Sequence, residues 1–178
     1  MSNEKLYLGI DLGGTFIKGG VVDREGNILA TGKGATEAQL GADRVADNIA
    51  SLIEELVEKS SVQREAIVGV GIGSPGMVDS AAGVIIYANN LPFNCFPLAY
   101  EIERRTGFAA KVANDANAAT LGEVKFGSAR GRSSVVMLTV GTGVGGGVIM
   151  NGKIFVPLGC QETDKFLFKS RFALEALR

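Results

Sequence analysis

The sequence predicts an α/β layered domain followed by the first hairpin of a second, incomplete domain, on three observations. Short apolar runs bounded by glycine turns alternate with amphipathic helical patterns. The first three strand-like runs follow one another through tight turns, as an antiparallel meander does. A polar break at 127–134 separates this pattern from a fresh pair of strand-like runs.

Lys5–Asp11 reads as a buried strand carrying Leu6, Tyr7, Leu8 and Ile10. It turns at Asp11-Leu12-Gly13-Gly14-Thr15 into a second strand, Phe16–Val22, and again at residues 23–27 into a third, Ile28–Lys33. Asp43–Lys59 is an amphipathic helix: Val45, Ile49, Leu52, Ile53 and Leu56 make one stripe, and Glu54, Glu55 and Glu58 lie off it. Ala66–Ile72 is a buried strand ending in Gly73-Ser74-Pro75-Gly76. Met77–Tyr87 suggests a hairpin turning at Ala82-Gly83, Leu98–Thr106 a helix and Ala109–Ala113 a strand. Asp115–Phe126 is a helix with Asn114 or Asp115 as its N-cap. Ser133–Val140 and Val144–Met150 are strands around Gly141-Thr142-Gly143. The expected organisation is a first domain over 1–130, the start of a second over 131–155, and a tail of different character over 156–178.

Composition narrows the chemistry. The chain has 178 residues, 46% hydrophobic and 21% charged, which is enough to build a packed core. A net charge of −1 with scattered Lys and Arg gives no basic surface for nucleic acid or an anionic membrane. The apolar stretch Val135–Met150 is dense in glycine, which favours buried strands over a membrane span. The polar start and the two cysteines, Cys95 and Cys160, argue for neither secretion nor a disulfide framework, so the expected location is cytoplasmic. The sequence has no histidine, so proton transfer must fall to a carboxylate, Lys, Tyr or Cys.

Two loops suit phosphate. In Asp11-Leu-Gly-Gly-Thr-Phe-Ile-Lys18, Gly13 and Gly14 let backbone N–H groups face phosphate oxygens, and Thr15 adds a hydroxyl and Lys18 a cation. Asp11 is an acceptor suited to a hydrated magnesium ion. Gly141-Thr142-Gly143-Val144-Gly145 offers the same groups between two later strands. Either loop alone is also explained as a packed glycine hairpin. Two of them, at the starts of two separate α/β units, look like the paired phosphate clasps of the actin-like (ribonuclease H-like) ATPase fold.

Asn114-Asp115-Ala-Asn117 enters a helix from a strand end. The pattern serves as a helix cap, and it also places a carboxylate at a cleft mouth. Without histidine, Asp115 is the candidate catalytic base. Gly73, Ser74 and Asn90 sit in strand-end loops, where ligands of α/β sheets collect, and Asn side chains match sugar hydroxyls.

Together these residues resemble the ROK family of sugar kinases and sugar-responsive repressors, over about Leu6–Ile154, and are most similar to its glucokinase-like members. The resemblance implies an ATP-dependent phosphotransferase acting on glucose or a related hexose, with Mg2+. It implies that Asp11, Gly13, Gly14, Thr15, Lys18, Gly141, Thr142, Gly143 and Gly145 serve the phosphates. Asp115 would be the base, and Asn90, Asn114, Gly73 and Ser74 would hold the sugar. Family members continue with a Gly-Glu-Ile-Gly-His segment and a zinc-binding cysteine cluster. Here the match fades after Phe155 and Cys160 stands alone, so no zinc is expected. The expectation is a chain of weak or absent activity whose last hairpin exposes an apolar face. Family kinases often form homodimers through the second domain. Two other readings stand beside the kinase: a non-catalytic sugar-binding remnant, and the kinase-like part of a ROK repressor. The start of the first strand near Lys5 leaves no room for a repressor's winged helix, and Asp115 favours a kinase.

Overall fold

The computed structural model describes residues 5–140 and 144–156. Its strands are β1 (Leu6–Leu12), β2 (Phe16–Val22), β3 (Ile28–Ala35), β4 (Ile67–Ser74), β5 (Met77–Asp79), β6 (Val84–Tyr87), β7 (Asn94–Phe96), β8 (Ala110–Asn114), β9 (Val135–Val140), β10 (Val144–Met150) and β11 (Lys153–Phe155). The helices are α1 (Ala42–Ser60), α2 (Leu98–Thr106) and α3 (Asp115–Lys125). The main sheet has the order β3-β2-β1-β4-β8. Its first three strands are the antiparallel meander, and β4 and β8 join parallel to β1.

The periodicity explains the packing. The predicted stripe of α1 is buried at Val45, Ile49, Leu52, Ile53 and Leu56, against β2 and β3. With Leu8, Ile10, Leu12, Ile17 and Ile72 it belongs to the core. A half-buried Arg105 ties α2 to α1, with its Nε 2.7 Å from Asp47 and an Nη 3.2 Å from Asp43. The β2–β3 turn is wound around the buried Asp23. Its Oδ1 accepts from the N–H of Glu25 (2.9 Å) and of Asn27 (2.8 Å), and its Oδ2 from the Asn27 amide (2.7 Å).

Burial alone would push the Asp23 carboxyl up. The hydrogen bonds from the Asn27 side chain and the turn's backbone outweigh it and hold the pKa below its ordinary value. A depressed folded pKa stabilises the fold above the unfolded value of about 4 and loses that contribution as pH falls through the folded one. Asp23→Ala is therefore expected to cost about 1–2 kcal/mol in urea unfolding at neutral pH, and to lose less against the wild type below about pH 4.

Two short strands escape the sequence reading. β7 pairs with β6 through only Ile85–Phe96 and Tyr87–Asn94. β11 follows a turn at Asn151-Gly152, both at positive φ (51° and 75°), and pairs with β10. The sheet β11-β10-β9 lies beside α3. Its outer face carries Val136, Leu138, Val140, Val144, Met150 and Phe155, all more than half exposed. Among the described residues, no helix is long and apolar enough to cross a membrane.

Candidate phosphate and sugar site

The parallel strands bring the predicted residues to one edge. Asp11 near the end of β1 lies opposite Gly73 of β4, and Gly73 lies opposite Ala113 of β8. One step further along, Ser74 lies opposite Asn114, with Asp115 next in the chain. This is the carboxyl edge of the parallel strands, the side on which α/β sheets take ligands.

The first glycine loop is closed by Gly13 N–H donating to the Phe16 carbonyl at 3.0 Å. Thr36, wholly buried after β3, holds it from behind: its hydroxyl donates to the Gly13 carbonyl (2.7 Å) and its N–H to that of Thr15 (2.9 Å). Asn48 of α1 donates in turn to the Thr36 carbonyl at 3.3 Å. Thr36 was not among the sequence candidates, because nothing in its neighbours marks a residue that reaches back 23 positions. Gly14 and Thr15 are exposed at the tip, and a Cβ on Gly14 would lie 3.5 Å from the Asn90 Cβ. The predicted phosphate loop and the predicted sugar asparagine are therefore neighbours. Lys18 stands two residues into β2, directly opposite Asp11.

Asn114 is the N-cap of α3: its Oδ1 accepts from the Asn117 N–H at 3.1 Å. Its amide donates to the Gly76 carbonyl at 3.1 Å, which ties the Gly73–Gly76 loop to the helix start. A side-chain amide has two protons and two lone pairs, so one donor and one acceptor remain for a ligand. Asn114→Ala is expected to lower stability by about 0.5–2 kcal/mol in thermal or urea unfolding, through the lost cap. Ser74 is buried and its hydroxyl donates to the Pro75 carbonyl at 3.1 Å. That bond shapes the loop and turns the hydroxyl inward.

Asp115 occupies the first helical position of α3, half-buried, with Oδ1 accepting from the Ala116 N–H at 2.8 Å. Gly145 stands over the next residue: a Cβ there would lie 3.3 Å from the Ala116 Cβ. The stem of the second glycine loop, closed by the Val140–Val144 pair, is thus set over Ala116, the residue after Asp115. Gly141, Thr142 and Gly143 lie outside the described residues, as does Cys160.

The ROK family model matches residues 7–159. The chain belongs to the ROK family. It is 44% identical over 149 residues to a glucokinase of Streptomyces coelicolor, which covers 84% of this chain and 45% of that protein. Against a glucokinase of Thermotoga maritima it is 40% identical over 146 residues, 82% of this chain and 44% of that one. The crystal structure of a ROK family glucokinase from Streptomyces griseus, in complex with glucose and AMPPNP, superimposes with a TM-score of 0.77 at 39% identity, over 84% of this chain and 46% of that one. The fold is the actin-like ATPase fold. This chain spans about half the length of the curated relatives it matches.

Proposed function

We propose that this ROK chain forms the sugar-holding and phosphate-holding part of an ATP-dependent hexose kinase of the glucokinase kind, acting in the cytoplasm. The observation that carries the reading is the convergence of Asp115 with the stems of both glycine loops at one strand edge. Gly14 reaches that edge beside Asn90, and Gly145 reaches it beside Ala116. The S. griseus relative holds glucose and an ATP analogue, which fits a site of this composition.

In this reading Asp115 takes the proton of the sugar hydroxyl as that oxygen attacks the terminal phosphorus. Asn90, the Gly73-Ser74 loop and the spare donor and acceptor of Asn114 hold the other hydroxyls. Backbone N–H groups of Gly14 and Thr15 receive phosphate oxygens from one side; the N–H of Gly13, expected to join them, is instead taken by the Phe16 carbonyl and shapes the loop. Gly141, Thr142, Gly143 and Gly145 receive them from the other, and Lys18 adds positive charge. Asp11 fits magnesium through water: it is a half-buried acceptor whose strand neighbour, Gly73, has no side chain to block approach. Bound there with ATP, magnesium would neutralise phosphate charge. The polar connector 127–134 would separate the first domain from the start of the second.

Calorimetric titration of the purified chain with glucose tests the reading. Saturable binding that disappears in Asp115→Ala is the expected result. Absence of binding, or binding indifferent to that substitution, overturns it.

A further inference from the structure

At the far end of α3, about 15 Å along the helix axis from Asp115, lies a hollow of about 530 Å³ lined by Arg24, Glu25, Val124, Lys125, Phe126, Arg130 and Gly131. Its volume is that of a small-molecule site. Three of its side chains are cationic and one is a carboxylate, in a chain whose net charge is −1. The guanidinium groups of Arg24 and Arg130 have no hydrogen-bond or ion-pair partner among the described residues.

On both sides of the hollow a carboxylate hydrogen-bonds the backbone. On one side Asp23 binds the β2–β3 turn through the N–H groups of Glu25 and Asn27. On the other, Glu123 accepts from the Ser128 N–H and hydroxyl, both at 2.6 Å, and its carbonyl accepts from Gly127 and Ala129. The connector then turns through Gly131 at φ 79°. Arg24 and Arg130 thus line one hollow from two hydrogen-bonded loops, and among the described residues neither has an acidic partner.

We propose that this hollow binds a small hydroxylated phosphate monoester, its phosphate held between Arg24 and Arg130 and its hydroxyls by Glu25. Paired guanidinium forks match a phosphate's oxygens. A bare phosphate would fill little of the volume and would meet Glu25 as a like charge. A phosphate that carries hydroxyls turns the same carboxylate into an acceptor. Phe126 and Val124 give the carbon skeleton an apolar wall. The site is separate from Asp115, and its occupancy does not depend on whether the chain transfers phosphate.

The test is an amide NMR titration of the whole chain with glucose 6-phosphate, inorganic phosphate and glucose, read at Glu25, Phe126 and Gly131. Saturable shifts are expected with glucose 6-phosphate, with inorganic phosphate on the order of ten-fold weaker for want of the hydroxyl contacts, and none with glucose. Arg24→Ala with Arg130→Ala should abolish the shifts while leaving amides around Asp115 in place. Glu25→Gln, which removes the like charge and weakens the hydroxyl contact, should bring the two phosphates to similar affinity. Shifts that survive the double arginine replacement overturn the proposal. So do equal affinities for the two phosphates in the wild type, or shifts with glucose alone.

Discussion

Replacing Asp115 with asparagine is expected to lower kcat for phosphate transfer to glucose by about 10²–10⁴-fold, whatever rate the wild-type chain shows. The change is nearly isosteric. An asparagine Oδ1 can still accept from the Ala116 N–H, and Asn114, not Asp115, carries the N-cap bond of α3. Thermal midpoint and glucose affinity should therefore stay close to wild type, because an amide still accepts a hydrogen bond from a sugar hydroxyl. What it loses is the ability to take that hydroxyl's proton, and with no histidine in the sequence no neighbouring imidazole can substitute. Steady-state kinetics checks it. A variant whose KM rises while kcat holds would make Asp115 a binding group and refute its role as base.

The parts of this fold that were legible in the sequence are those where one physical signal dominates. The α1 stripe could be read because five apolar side chains at helical spacing have only one way to be buried together. The meander could be read because each turn is marked by glycine or Asx residues between apolar runs. The strand β11 had a signal that went unused: Asn151-Gly152 is the dipeptide of a two-residue hairpin. The strand β7 had none, since Asn94-Cys95-Phe96 is short, half polar and holds Cys95 at φ 49°. At the site, Asp115 and Asn114 were visible because a strand end running into a helix fixes where a cap must stand. Thr36 was invisible because its role comes from a long-range bond to Gly13. For the glycines of β10 the sequence left two uses open, phosphate contact and a packed hairpin. The structure displays the packing: Gly145 and Gly147 alternate on one strand face and let that face lie on Ala116 and Thr120. Those two residues are four apart on α3 and so share one side of it.

That packing makes Gly147→Ala the stability change expected to be largest for its size. A Cβ at Gly147 would collide with the Thr120 hydroxyl and lie 2.8 Å from the Thr120 Cβ and 3.3 Å from the Ala116 carbonyl. Thr120 cannot turn aside freely, because its hydroxyl donates to the Ala116 carbonyl at 2.8 Å and the residue is wholly buried. The strand must lift instead, at about 1–3 kcal/mol for an overpacked contact. Urea unfolding should show the loss, and hydrogen exchange should place it in Val144–Met150. Gly34→Ala is the control: a Cβ there meets nothing within 4 Å, so its stability should hold. The double variant Gly147→Ala with Thr120→Ala removes the colliding hydroxyl but keeps the 2.8 Å Cβ contact, so it should recover part of the loss, a coupling that two independent sites would not give. If the β10 glycines instead serve only the loop at 141–143, Gly147→Ala will leave stability unchanged and the double variant will show no recovery. If packing rules, lifting β10 also carries Gly145 away from Ala116, the residue after Asp115. Affinity for AMPPNP should then fall in Gly147→Ala and return in part with Thr120→Ala, in step with the exchange protection of the strand.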